Sequence, residues 1–447
     1  MKKWIIYIVA ILIISISFLI IKPRISDSFY KKGIAFADSS QYESAVKYYG
    51  KALKLDKKNI NVLLARANAY YQLEQDEKAL IDFNKLLEID NYNYDVFFGR
   101  ALVFIKKGEW NKAEQDLSKA VDLNKQNPTG FYFLGYVQSN LKQYKEALEN
   151  LNTSLLLDSS YAEAYHQRGI VKANLGDMEG SVQDFNKALD LDSENLDAYQ
   201  RRVKYRINKE DYKGAIADYD AIINLDANNQ DAYYQRGYFK LQIKDYEGAL
   251  LDFNKAIEIN SEDAKSFKKR GNAKAALLKY DEALLDFNKA IELNSNDHES
   301  YFRKGMVYLY KSDPSKAIVE FDKAIKIKKD YAEALYNRGV GKAMNLKFES
   351  SIQDFNQTLK IDTQFADAYL GRAISLGILK KHTEAITDYN MYLSLRPNNG
   401  VAYLNRGISK ININDFAGGC IDFNRALELG VVQAEEKIKM YCRNNKH

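Results

Sequence analysis

The tripeptide Asp-Phe-Asn recurs at residues 82, 184, 252, 286, 354 and 422, and every interval between copies is a multiple of 34. A period of that length implies supersecondary units that bury their faces on one another, so the chain cannot be a set of independent globular cores. Twelve 34-residue units in this register fill residues 26–433 without insertion or deletion, leaving 1–25 before them and a 14-residue tail after. Within the unit, position 4 is aromatic in ten copies, position 8 is Gly in eight and Ala in three, position 20 is always Ala, Ser or Gly, and position 24 is aromatic in ten. Offsets of three and four are helical, and a polar break at positions 14–17 divides each unit into two helices. In the ninth unit the break reads Ser312-Asp313-Pro314, a cap followed by Pro at the first helical position. The small residues at 8 and 20 let the two backbones approach, and the rings at 4 and 24 fill the space beside them.

Position 7 is basic in eleven units, a ladder that invites a phosphate-binding or nucleic-acid reading. Position 23 answers it with an acid in ten units, as in Arg168 with Asp184, Arg236 with Asp252 and Arg270 with Asp286. The fourth unit loses both members together (Leu134, Asn150), and the ninth replaces both (Lys304, Glu320), whereas the first sets Lys32 against Tyr48. The spacing predicts a structural Arg–Asp pair joining the two helices of most units. Asn at position 25, in eight units, reads as a helix-surface or inter-repeat hydrogen bonder. Charge supports a structural role: without Lys2, Lys3, Lys22 and Arg24 the chain carries 61 basic against 60 acidic side chains, which is no footprint for nucleic acid. The four histidines have no metal-ligand spacing, and no phosphate loop or nucleophile motif stands out. No catalytic residue, metal or cofactor is expected, and the chain does not read as an enzyme.

The unit pattern resembles the tetratricopeptide repeat (TPR) family, over 408 of the 447 residues. The resemblance implies an all-α fold: a right-handed α-solenoid of twelve helix-turn-helix repeats, here with an N-terminal transmembrane helix and a C-terminal capping helix over 434–447, whose apolar face holds Ile438 and Tyr441. Two departures from the family are the basic residue at position 7, usually Leu, and position 32, where Pro occurs only as Pro397. They imply helix junctions less stiff than the family norm.

The family also implies where a ligand would lie, on a second stripe of the first helix that lines a concave groove. Here that stripe holds Tyr30, Phe98, Tyr132, Tyr136, Tyr234, Tyr238, Phe302 and Tyr336. Large rings on an exposed stripe fit a peptide or protein groove, with packing against the next unit as the alternative. The eighth unit adds Lys265, Lys268, Lys269 and Asn272. Lys268 and Asn272 match two positions of the carboxylate clamp of some family members, but Arg303, Glu333 and Asn337 stand where its Asn, Lys and Arg would be. A local cationic spot is expected in place of a clamp.

Trp4–Ile21 is an 18-residue run without a charge. As a helix it reaches about 27 Å, close to the roughly 30 Å hydrocarbon core of a bilayer. It reads as an uncleaved anchor, with a cleaved signal segment as the alternative, and residues 1–25 form that region. The flanking charges leave orientation open. Cys420 and Cys442, the only cysteines, lie ten residues before and twelve after Gly430, so two helices folded at that turn bring them close. The closing stretch also resembles the C-termini of bacterial envelope repeat proteins that end in a paired cysteine. Either a disulfide or two free buried thiols fits; a disulfide would place the solenoid outside the cytoplasm, on the periplasmic side, with Lys2 and Lys3 inside. The expected function is a membrane-anchored interaction scaffold binding a protein or extended peptide, and the alternative is a polysaccharide-binding or export-accessory solenoid of the cell envelope.

Overall fold

The computed structural model describes Trp4 and residues 22–442. Beyond Trp4 itself, the apolar run to Ile21 lies outside the described residues, as does 443–447 of the tail. Among the described residues no helix is long and apolar enough to cross a membrane, and there is no strand. The chain divides into two blocks, Met1–Lys209 and Glu210–His447. The first runs from a helix whose described part is 22–38 to the first helix of the sixth repeat, Leu196–Asn208. The second runs from Tyr212–Leu225 to a last helix, Gln433–Tyr441. In each block, first helices occupy positions 1–13 of the repeat, as in Ile60–Gln72, and second helices occupy positions 17–30, as in Asp76–Ile89.

The helices start and stop for local reasons. Asn or Asp at position 34 caps the following first helix; the Asn59 side chain accepts from Val62 N–H at 3.2 Å and that of Asn229 from Ala232 N–H at 3.0 Å. Position 15 takes a left-handed backbone in all twelve repeats, with φ near +60° even at the side chains of Leu278 (+61°) and Leu346 (+57°). Only Gly108 and Gly176 make this turn with glycine. The hydrogen bond from Lys279 N–H to Lys274 O (2.9 Å), with that from Leu278 N–H to Ala275 O (3.0 Å), closes the helix end and holds the strained residue.

Within a repeat the two helices touch where the small residues predict. Ala249, Ala283 and Ala317 at position 20 are fully buried, as are Phe253, Phe287 and Phe321 at position 24. Gly271, at position 8, lies so close to Phe287 that a Cβ there would sit 2.8 Å from its Cε1.

The arginine ladder binds more than its own repeat. Arg270 Nε and Nη2 donate to Asp286 at 2.9 and 2.7 Å, while Nη1 donates to Asn254 of the preceding repeat at 2.9 Å. Arg168 does the same with Asp184 and Asn152, and Arg236 with Asp252 and Asp220. Each such guanidinium joins its helix to one partner sixteen residues ahead and another sixteen behind. The fourth repeat substitutes an amide bond, Asn150 Nδ2 to Gln138 Oε1 at 2.7 Å, and in the first repeat Tyr48 stacks on Phe36 (5.3 Å) in place of an acid. Lysines at position 11 are second cations on the same carboxylate: Lys172, Lys240 and Lys274 lie 2.9 Å from Asp184, Asp252 and Asp286.

Cys420 and Cys442 are joined by a disulfide, with their Cα atoms 5.7 Å apart. It ties the last helix to Phe416–Glu428, where Ala434, Ile438 and Tyr441 pack beside Phe423. Closing a loop of this size stabilises by about 3 kcal/mol in the chain-entropy account.

The ladder predicts unequal costs for losing its arginine. Asp388 has only Arg372 as a cation, because position 11 is Leu376, whereas Asp252 keeps Lys240. Arg372→Leu should destabilise by about 3 kcal/mol and Arg236→Leu by about 1–2 kcal/mol, and adding Asp388→Asn to the first should restore part of the loss. Equal losses in denaturant melts would mean the carboxylates are not what the arginines serve. A second expectation concerns the turn: Leu278, 71% exposed and left-handed, gains nothing from its side chain. Leu278→Gly should raise stability by about 0.5–1 kcal/mol, read as a higher Tm.

Candidate functional site: the first-helix face

The expected groove residues occupy positions 2, 5 and 9 of the first helices in the two blocks. In the first block, Tyr30 packs against Tyr49 (6.0 Å) and Phe98 lies between Tyr94 (5.4 Å) and Phe133 (5.5 Å). Tyr132 meets Phe133, Tyr136 and Tyr161, the last at 4.9 Å at the junction to the next repeat, and Tyr136 meets Trp110. Burial, with smaller contributions from Tyr161 and Glu163, pushes the Tyr132 hydroxyl well above its ordinary pKa. In the next junction His166 takes the place of the ring. Its Nε2 lies 2.7 Å from Asp197, which also accepts from Arg201 Nε at 2.6 Å. Burial holds His166 below the usual imidazole pKa even against the pull of Asp197. Beside it opens a cleft of about 270 Å³, with Met178 and Phe185 among its apolar lining and Arg201, Lys204 and Tyr205 from the neighbouring helix.

In the second block Tyr234 packs on Phe253 (6.0 Å) and Tyr238 on Phe239 (5.2 Å), with the Lys269 ammonium 5.1 Å from the Tyr238 ring centre. Burial lowers the pKa of Lys269. Lys268 reaches Glu299 at 2.8 Å and Asp297 at 3.1 Å. Its burial works against the charge, yet these carboxylates outweigh it and raise its pKa. The ammonium is therefore already satisfied by the next repeat. Of the eighth-repeat set Lys265 is exposed and Asn272 half-buried.

Two expectations change. Phe302, expected to line an open groove, is only 9% exposed and sits between Phe321 (5.8 Å) and Tyr331 (5.1 Å). Tyr336 likewise packs on Phe355 (5.9 Å) and Phe365 (5.0 Å). Phe302 and Tyr336 at position 5 thus bridge the position-24 and position-34 rings of their own repeats. On this face apolar side chains stay exposed at Ile374, at position 9, and at Met344 and Ile378, at position 13, while the more exposed ones, such as Leu251, Leu285 and Ile421, lie on second helices. Ile374 (39% exposed) and Ile378 (52%) wall a cleft of about 250 Å³ with Ile408 and Gly377. Apolar residues at both positions in the tenth and eleventh repeats (Val340 with Met344, Ile374 with Ile378) were a readable signal, overshadowed by the aromatics. Among the described residues no group of three His, Cys, Asp or Glu side chains is placed to hold a metal.

Helix pairs of constant length, bonded to their neighbours through one repeated guanidinium, define an α-helical repeat solenoid. Models of the tetratricopeptide repeat match residues 60–93, 129–161, 162–195, 230–263 and 298–331, and a TPR repeat model matches 33–74. The matched segments carry the same 34-residue register as the helix pairs between them, and the chain belongs to the tetratricopeptide repeat family. No curated protein matches the chain. Among solved structures it is similar to YrrB, described as a TPR protein with an unusual peptide-binding site (26% identity, 41% of this chain and 95% of that one, TM-score 0.37). It is also similar to the Cut9–Hcn1 hetero-tetramer of the APC/C (14%, 95% and 99%, TM-score 0.43). A third is the C-terminal part of a TPR protein from Cytophaga hutchinsonii (19%, 54% and 98%, TM-score 0.45).

The two kinds of face residue should respond oppositely to truncation. Tyr336→Ala removes a ring packed on both Phe355 and Phe365 and should cost about 2–3 kcal/mol of stability. Ile378→Ser, at a half-exposed site, should cost under about 1 kcal/mol. A melt in which Ile378→Ser is the worse of the two would reverse the assignment of packing and open surface.

Proposed function

We propose that this protein is a membrane-anchored scaffold whose first-helix face holds a protein or extended peptide. The observation that carries this reading is the apolar cleft at Ile374, Ile378 and Ile408. Aliphatic walls, with His382, Asn405 and Ser409 contributing the polar edge, suit a segment inserting apolar side chains. A polysaccharide is the weaker reading, because sugar stacking needs free ring faces and the rings of this stripe are engaged with one another. Anchoring is supported by the uncharged run Trp4–Ile21. The Cys420–Cys442 bond favours an oxidising compartment, with the repeats on the periplasmic side of the membrane. A TPR array of this kind is a scaffold and acts by binding.

A photo-crosslinking amino acid at position 378 tests the partner in living cells. A discrete adduct that protease removes and glycosidase does not is expected; an adduct of the opposite sensitivity would replace the protein reading with the polysaccharide one. In the same cells the chain should stay with the membrane through a carbonate wash. Both cysteines should resist alkylation until reductant is added, and free thiols in the denatured, unreduced sample would put the repeats in a reducing compartment.

A further inference from the structure

Arg66 departs from the ladder in one respect. Its Nε and Nη2 each donate to Asp82 at 2.7 Å, as in the later repeats. Position 25 of the preceding repeat, however, is Gly50, so Nη1 has no amide or carboxylate there to bond. Every other arginine of the ladder has that partner; Arg100, for example, donates to Asn84 at 2.7 Å. A Cβ on Gly50 would meet nothing within 4 Å. The vacated space is part of a cleft of about 570 Å³ lined by Lys47, Lys51, Lys54, Lys57, Lys85 and Arg66, with no carboxylate among its lining residues.

The later repeats show how unusual this is. In three of them the cation at position 26 is matched by an acid at position 29: Lys255 with Glu258 and Lys289 with Glu292, both at 2.7 Å, and Arg425 with Glu428 at 2.8 Å; in the ninth, where Lys323 and Lys326 hold both positions, Lys323 finds Glu320 at 3.0 Å. In the first repeat the same two positions are Lys51 and Lys54. Lys47, Lys51 and Lys54 follow one another at i, i+4 and i+7 on Tyr42–Leu55, so they share a helix face, and Lys57 follows just after its end. Lys51 rests its ammonium on the rings of Tyr48 (4.6 Å) and Phe29 (5.6 Å), which holds it without neutralising it. Five ammonium groups and one guanidinium edge around a single cleft repel one another unless an anion sits among them. A phosphate group offers several acceptor oxygens to that donor set at once.

We propose that this cleft binds the phosphate group of an anionic phospholipid headgroup. The depth argues for a lipid source. Ser26 Oγ donates to Ala52 O at 3.2 Å, which sets the lysine-bearing end of Tyr42–Leu55 level with the first described turns of helix 22–38. Ser26 is five residues past Ile21, about 8 Å along a helix from the end of the apolar run. A basic cluster at that distance from a spanning segment is within reach of the lipid headgroups and attracts those that are anionic. The source of the phosphate rests on the anchoring proposed above; the phosphate chemistry itself does not.

The test uses the full chain in zwitterionic detergent micelles. Calorimetric titration is made with short-chain dihexanoylphosphatidylglycerol, dihexanoylphosphatidylcholine and inorganic phosphate. Phosphatidylglycerol should bind at least tenfold more tightly than phosphatidylcholine, weaken steeply with added salt, and be displaced by inorganic phosphate at higher concentration. Lys51→Gln with Lys54→Gln should weaken it tenfold or more. Gly50→Asn is the sharper variant, because it supplies the side chain that bonds arginine in the later repeats. It should raise Tm while weakening phosphatidylglycerol binding, a combination that unfolding cannot produce. Binding of inorganic phosphate with no preference between the two lipids would assign the cleft to a free phosphate ligand and overturn the lipid source. No binding of any of the three, or binding that Gly50→Asn leaves unchanged, would overturn the site. Release from the membrane in the carbonate wash would count against the anchor alone, since the micelle titration does not depend on it.

Discussion

The structure depends on a buried carboxylate that must not be left alone. Asp184, Asp252, Asp286, Asp354 and Asp422 are each almost fully covered, and a carboxylate there without a cation would cost several kcal/mol. Arginine at position 7 meets that requirement with two parallel hydrogen bonds, which fixes the rotation of one helix about the other and not merely their distance. Its remaining nitrogen then fixes the next interface, because the partner at position 25 belongs to the preceding repeat. The close approach of Gly271 to Phe287 and the burial of the position-20 alanines are compatible with only one such rotation. Polar bonding and apolar packing thus specify the same arrangement from opposite sides of the helix pair.

The architecture could be read from the sequence because it repeats. A single Arg and Asp sixteen residues apart would mean little, but Leu134 with Asn150 and Lys304 with Glu320 vary as pairs, and that carries geometric information. What could not be read is what varies without a partner to betray it. Lys172 and Lys274 at position 11 look like amphipathic fillers of a packing face until their ammonium groups are seen on Asp184 and Asp286. The left-handed turn at position 15 was equally hidden. Ten of its twelve residues are not glycine, so composition gives no signal for a backbone that the hydrogen bonds of the helix end impose.

The first-helix face was partly legible for the same reason. Helical spacing placed Tyr132, Tyr336 and Lys268 on it correctly, but spacing gives the direction of a Cβ and not what meets the side chain beyond. Tyr161 and Phe365, the last residues of the same repeats, and Glu299, from the start of the next, cover them. Ile374 and Ile378 stay partly open, on the wall of the cleft they share with Ile408 of the next first helix. Electrostatics divides the second block in a similar way, with cations and acids interlocked around Lys268 and an uncharged wall three repeats later.

Because each guanidinium from Arg100 onward looks sixteen residues ahead and sixteen behind, the array is indifferent to how many repeats it contains. If residues 230–263 were excised, Arg270 would arrive where Arg236 had been. It would face Asp220, the carboxylate that Arg236 already bonds at 2.6 Å, and would bring its own Asp286 with it. Any deletion other than a whole unit would leave a buried acid without its base. Unequal recombination between such repeats therefore yields intact interfaces without compensating mutation, and the unbroken 34-residue register is the record that a lineage lengthening itself by duplication would leave.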